Sequence, residues 1–160
     1  MSLAEALPAL LPALAALAEA DPDREICGFV LRSEDGRHVL SPARNAAPEP
    51  AGRFEVDVRD LLALHKRTRA EGSAIAAVYH SHPRGGAGLS ALDREASLLE
   101  DGAPLLPGVE LLVVGLGGGK AEEVRLHRWC EPGIFVEVAR AARRRTSGEA
   151  GAWAISGKLA

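Results

Sequence analysis

Aromatic side chains are scarce: three Phe, two Trp and one Tyr make up 4% of 160 residues. Stacking of bases on such a protein has few platforms. Cysteine is scarcer still, with Cys27 and Cys130 alone. Two thiols make at most one bridge, which excludes a disulfide-stapled mini-protein and gives no sign of an oxidising compartment. No Lys or Arg precedes Arg24, so the apolar stretch Leu3 to Ala20 lacks the basic flank of an export signal. Glu5, Pro8, Pro12 and Glu19 interrupt it, and it is read as a helix of a cytoplasmic protein rather than a membrane span. Neither charge sign dominates: 19 basic against 22 acidic residues leave −3. That balance excludes a strong overall pull toward nucleic acid or anionic lipid. What remains is the composition of a globule, 47% apolar and 26% charged. The length suits one domain with its own core.

The chain is expected to fold as a single α/β domain, a mixed sheet flanked by helices, without internal repeats or linkers. Leu7, Leu10, Leu11, Leu14 and Leu17 recur at helical spacing. Pro8 or Pro12 is expected in the first turn of that helix, and Asp21-Pro22 stops it. Glu25 to Arg32 is predicted as a strand that turns at Glu34-Asp35-Gly36 and returns over Arg37 to Leu40. Ser41 to Gly52 carries three prolines and is predicted as a loop, followed by an extended Phe54 to Val56. Asp57 has the chemistry of an N-cap and Gly72 that of a helix end, with Val58, Leu61, Leu62 and His65 on one face between them. Ala74 to His82 is a buried strand. A glycine-rich loop, Pro83 to Leu89, leads into a helix over Ser90 to Glu100. Val109 to Gly115 and Glu122 to Trp129 form a hairpin across Gly117-Gly118-Gly119-Lys120. Ile134 to Arg145 is helical in pattern, or a strand running into a helix. Residues 1–145 make the domain, and Thr146 to Ala160 is a small, polar C-terminal tail.

Chemistry concentrates in Tyr79-His80-Ser81-His82-Pro83 and Ser90-Ala91-Leu92-Asp93. Residues two apart on a strand share a face, so His80 and His82 present two imidazoles side by side. A loop that turns back from His82 brings Asp93 over the strand end. Two histidines, one carboxylate and an open fourth position are the pattern of a catalytic zinc, whereas a structural zinc is closed by four ligands. Each half also has a purely structural reading: a polar strand end for the histidines, a capping box for Ser90 and Asp93. The capping role is compatible with metal binding, because Ser90 can cap while Asp93 ligates.

The run from His80-Ser81-His82-Pro83 to Ser90-Ala91-Leu92-Asp93 resembles the signature of the JAMM (MPN-type) zinc metalloproteases. Glu25-Ile26-Cys27-Gly28-Phe29-Val30-Leu31 resembles that family's first strand with its upstream glutamate. Asn45 to Asp57 is similar to the middle part of prokaryotic members. The resemblance spans Leu3 to Trp129. One departure is Leu89, where proline often precedes the serine; it changes loop stiffness and removes no ligand. The resemblance implies a cytidine-deaminase-like architecture, with Zn2+ held by His80, His82 and Asp93. It implies Glu25 as general base and acid, and Ser90 as a donor to the tetrahedral intermediate. The implied activity is hydrolysis of the peptide or isopeptide bond after the C-terminal Gly-Gly of a small ubiquitin-like or sulfur-carrier protein. Two other readings stand beside it: a non-catalytic scaffold of the same fold, and a DNA-associated relative whose footprint is Arg140, Arg143, Arg144 and Arg145. Those arginines are read here as a solvated helix end, with no nucleic acid and no membrane as partner.

Other signals carry less. Gly115 to Ala121 lacks the first glycine and the Ser or Thr of a phosphate loop. His38, His65 and His127 are isolated and expected to be structural or exposed. Cys27 is read as a small buried apolar residue and not a nucleophile. The Pro83 to Leu89 loop borders the site. Its glycines allow it to move and Arg84 can steer an acidic carrier, or the loop only closes the turn.

Overall fold

Ser2 starts the first helix. Its Oγ accepts from the Glu5 amide at 3.3 Å, and its own amide donates to the Glu5 carboxylate at 2.6 Å. Helix α1 then runs Leu3–Ala20 in this computed structural model, which describes residues 1–144 and 151–157. Because the cap lies so early, Pro8 and Pro12 stand inside α1 and not in its first turn as expected. Both are exposed, so water can satisfy the carbonyls whose N–H partners they remove. Leu7, Leu10, Leu11 and Leu14 are buried on the opposite side. By length and composition α1 is apolar enough to cross a membrane, but half of that stretch is buried inside the fold.

Seven strands form one mixed sheet in the order β2-β1-β3-β4-β5-β6-β7. They are β1 (Cys27–Arg32), β2 (His38–Ala43), β3 (Ala74–His82), β4 (Glu110–Gly117), β5 (Lys120–Glu131), β6 (Ile134–Arg143) and β7 (Trp153–Gly157). Only β3 and β4 are parallel. A parallel pair needs a crossover, and here it carries helix α3 (Ala91–Ser97). Helix α2 (Val58–Glu71) links β2 to β3 between the Asp57 cap and a left-handed Gly72. The protein is a single domain of a mixed sheet and helices, as its sequence leads one to expect.

Side-chain alternation divides the sheet into two faces. Ala77 and Tyr79 of β3 join Val30, Leu112, Val114, Val124 and Leu126 in the core under α1. Val78 turns the other way, toward Phe29, Leu31 and Leu64. His80 and His82 share the parity of Val78 and so project from that second face.

Four further expectations need correction. Residues 134–143 are a strand throughout, without helix: Ala139 and Ala141 pair with Leu126 and Val124, and this period-two burial overrides the helical spacing. Arg145, the end of that stretch, lies outside the described residues. Part of the segment read as a tail is β7, paired along β6 from Arg143–Trp153 to Ala139–Gly157. Strand β2 extends through Pro42 to Ala43, which the sheet tolerates because β2 is an edge. Helix α3 stops at Ser97, where Leu98 turns extended and bridges Pro104. The β4–β5 hairpin is as expected, with positive φ at its two central residues, Gly118 (57°) and Gly119 (77°).

Candidate metal centre

The site is assembled by the register of β1 against β3. Cys27 pairs with His80. Beyond the end of β1, the Ile26 amide donates to Ser81 Oγ at 2.9 Å and the Ser81 amide to the Ile26 carbonyl at 3.1 Å. The pairing thus continues one residue further, and Glu25 follows beside the histidines, its amide donating to the Pro50 carbonyl at 2.7 Å. Helix α3 supplies the third group. Ser90 Oγ accepts from the Asp93 amide at 3.1 Å, and the Ser90 amide donates to Asp93 Oδ2 at 2.8 Å. This capping box aims the Asp93 carboxylate back at the histidines.

His80 Nε2 and His82 Nε2 lie 3.2 Å apart, and each lies 3.1 Å from an oxygen of Asp93. A tetrahedral zinc with Zn–N bonds of about 2.0–2.1 Å holds its ligand atoms about 3.3 Å apart. The donor set and its spacing therefore fit such an ion. The tautomer fits as well: His82 Nδ1 lies 2.9 Å from the Gly86 carbonyl. A carbonyl only accepts, so a proton on Nδ1 is bonded there, while Nε2, 3.1 Å from Asp93 Oδ2, donates to that carboxylate when protonated and would offer its lone pair to a bound metal ion. His80 is 2% exposed, and its ring stacks on Phe54 at 4.6 Å between centroids.

Electrostatics separate the carboxylates. Burial alone would raise the Asp93 pKa, but hydrogen bonds from His80, His82 and the Ser90 amide hold it far below the ordinary range. Glu25, 6% exposed, is pushed up to about 7 by burial, with His82 opposing and Asp93 adding to the rise. Its Oε2 has no hydrogen-bond partner among the described residues. For His80, burial outweighs the Asp93 bond and lowers the pKa. For His82, burial lowers it but Asp93 and the Gly86 carbonyl together prevail, and the net shift is upward.

Two cavities meet at the cluster. A cleft of about 1050 Å³ is lined by Glu25, His82, Ser90 and Arg84. An apolar cavity of about 470 Å³ is lined by His80, Asp93, Phe54, Val78 and Leu105. The structure thus gathers all five singled-out residues at one place: His80, His82 and Asp93 in contact, Glu25 and Ser90 on the cleft beside them.

Other residues fall elsewhere. Cys27 is buried, its thiol 3.7 Å from the Ala43 carbonyl, and burial with nearby Asp60 and Glu25 raises its pKa to about 12. It is no nucleophile at neutral pH. Arg140 pairs with Glu137 at 2.9 Å, and Arg143 pairs with Glu19 at 3.0 Å. Sequence reasoning missed Phe54, Asn45 and Glu123. Asn45 uses its whole amide: Nδ2 donates to the carbonyls of Glu25 (2.9 Å) and Arg53 (3.0 Å), and Oδ1 accepts from Ala47 and Glu55. It thereby ties the backbone of Glu25 to the segment that carries Phe54. His127 is buried and reaches the Ala87 carbonyl at 3.1 Å. The alternation Glu123-x-Arg125-x-His127 was the available signal, since it puts all three on one face of a strand.

Known proteins show the same pattern. A sequence profile described as prokaryotic homologs of the JAB domain matches residues 7–129. A protein of Haloferax volcanii named desampylase is 34% identical over 80 residues, which are 49% of this chain and 58% of that protein. The matched region thus spans little more than half of that relative's length. Two solution structures share the fold. One, from Desulfitobacterium hafniense, has a TM-score of 0.54 at 23% identity, over 86% of this chain and 82% of that one. The other, from Salinibacter ruber, has a TM-score of 0.52 at 25% identity, over 79% and 85%. With its strand histidines, its helix aspartate and a profile match over most of its length, the chain belongs to the prokaryotic JAB-domain family.

Proposed function

We propose that this protein is a zinc-dependent isopeptidase that cleaves after the C-terminal Gly-Gly of a small ubiquitin-like or sulfur-carrier protein. The observation that carries the reading is the convergence of three ligand atoms beside a buried glutamate and a serine on the same cleft. The name of the Haloferax volcanii relative, a desampylase, points the same way. Zinc held by His80, His82 and Asp93 would supply a Lewis acid and lower the pKa of a water from about 15.7 toward about 7. Glu25 takes the proton of that water as the new C–O bond forms, then delivers it to the amine as the C–N bond breaks. In the metal-free protein burial pushes its pKa up to about 7, and a bound cation would draw it back toward the ionised form that a base needs. Ser90 already accepts the Asp93 amide through its lone pair. Its O–H is left to donate to the oxygen that gains charge.

A Gly-Gly tail has no side chains and can lie extended in the cleft lined by Glu25, His82 and Ser90. Zinc-loaded protein incubated with sulfur carriers extended beyond Gly-Gly is expected to release product ending at the second glycine, read by mass spectrometry. Replacing either substrate glycine by valine is expected to abolish most cleavage. Equal cleavage of Gly-Gly and Val-Val substrates would make the protein a general peptidase.

A further inference from the structure

The glycine-rich loop after His82 is held and not loose. Its Gly86–Ala87 peptide unit is engaged at both ends. The Gly86 carbonyl accepts from His82 Nδ1 at 2.9 Å, and the Ala87 amide of the same peptide donates to Glu123 Oε1 at 3.0 Å. The next carbonyl, Ala87, accepts from His127 Nε2 at 3.1 Å. Ala87 is fully buried. From below, β4 fits the loop through the missing side chain of Gly115. A Cβ there would lie 2.9 Å from Ala87 N, Gly85 O and Gly86 C, all backbone atoms that cannot swing aside.

We propose that Glu123 is the carboxylate that orients the metal ligand His82, acting through the Gly86–Ala87 peptide, with Gly115 and His127 seating that peptide. The inference rests on the metal-centre reading above. Metal-bound histidines ordinarily donate their second N–H to a carboxylate or carbonyl, which sets tautomer and ring angle and raises basicity. Here the two partners are in series. The negative charge at Glu123 draws on the amide N–H and polarises the carbonyl that His82 faces, and hydrogen bonds in a chain strengthen one another. Arg125 closes the far end of the relay, its Nη2 donating to Glu123 Oε2 at 3.0 Å. His80 has no equivalent, because its Nδ1 is without a partner among the described residues. The ring angle of one ligand is therefore set by residues of β5, far away in the sequence. Glu123, His127 and Gly115 are positioning residues and touch no reacting atom.

The test uses the full chain and two readouts other than turnover. Imidazole nitrogen NMR of metal-free protein, above the imidazole titration range, reports which His82 nitrogen carries the proton, the Gly86 carbonyl favouring Nδ1–H and the Asp93 carboxylate Nε2–H. Competition with a chromophoric chelator reports zinc affinity. In the wild type, His82 is expected to be the Nδ1–H tautomer. Glu123→Ala and Gly115→Ala are expected to mix the tautomers and weaken zinc binding about 10- to 100-fold. Glu123→Gln keeps an acceptor oxygen and is expected to restore the tautomer and most of the affinity. A purely structural role would lower the melting temperature in all three without that rescue. If Gly115→Ala fails to fold, the two Glu123 variants decide alone. An unchanged tautomer and affinity in folded Glu123→Ala overturns the proposal. A wild-type chain that binds no zinc overturns the function proposed above, while the tautomer still decides whether Glu123 holds His82.

Discussion

The two faces of the sheet are built for different ends. Under α1 the core is deep: eight residues of the helix are buried, and seven of them share one core with buried residues of β1, β3, β4, β5 and β6. On the other face, α2 buries Leu64 alone, and the buried residue of α3 is Asp93, whose carboxylate meets His80 and His82. A cavity of about 470 Å³ remains there beside the cluster. Hydrophobic burial that would close this face gives way where His80, His82 and Glu25 gather. One face holds the sheet together, so the other can stay open around polar groups that a dense core would exclude.

This division predicts that chemistry and stability are lost separately. The largest effect belongs to the open face. Glu25→Gln preserves size and removes the base, and turnover is expected to fall about 10²- to 10⁴-fold. Zinc content and melting temperature are expected to stay near those of the wild type. Asp93→Ala, by contrast, is expected to lose the metal as well. Near-normal turnover in Glu25→Gln would make that residue structural and the open face dispensable.

The closed face is expected to show the reverse. Leu14→Ala removes a fully buried side chain, a change that typically costs about 2–5 kcal/mol. Leu62, which is 57% exposed on α2, is expected to change stability by less than about 0.5 kcal/mol when cut to alanine. Urea denaturation of both variants checks the contrast. Similar losses in the two would erase the distinction between the faces.

How much of this was legible in the sequence follows from the range of the interactions. Short-range signals were plain: the shared parity of His80 and His82, the Ser90-to-Asp93 cap, the Asp57 and Gly72 helix ends and the Gly118-Gly119 turn. The position of Glu25 was not readable from spacing, because it depends on a register whose key bond joins Ile26 to Ser81 across 55 positions. It was legible only through family resemblance. Glu123 was missed for the same reason of range, because its partner Ala87 is 36 positions away and no resemblance pointed to it. Strand β6 was mistaken because its small and charged residues fit a helical period, and only pairing with β5 selects the strand. The early start of α1 was missed because the leucine stripe outweighed Ser2 and Glu5, which form a cap as clear as the one at Ser90.

Ser90 stands on both sides of the comparison, since it caps α3 and lines the cleft. Ser90→Ala is expected to cost about 10²–10³ in turnover through the lost donor. The lost cap is expected to lower stability by about 1 kcal/mol. Zinc is mostly retained, because Asp93 keeps its bond from the Ser90 amide, which the substitution leaves in place. Steady-state kinetics and thermal unfolding of the same preparation separate the two roles. Unchanged turnover would leave Ser90 as a cap alone.

The smallest effect asks whether the open face is dry wherever it is not a cavity. Cys27 lies on β1 beside the site, yet its thiol is raised from an ordinary 9.0 to about 12, chiefly by burial. Its folded pKa stands above its unfolded one. The thiol's contribution is therefore complete below about pH 9 and declines as pH rises toward about 12, because the unfolded chain releases the proton first. Between about pH 8 and about pH 10, wild-type stability is expected to fall by about 1 kcal/mol more than that of Cys27→Ala. Tyr79 on the closed face is raised by burial too. It titrates in both proteins and cancels in the difference. Alkylation gives an independent reading: at about pH 8 one thiol per folded chain, the exposed Cys130, is expected to react, and two after unfolding. Rapid labelling of Cys27 in the folded protein would mean that water reaches the strand beneath Glu25. The high pKa of that glutamate in the metal-free protein would then lose its cause.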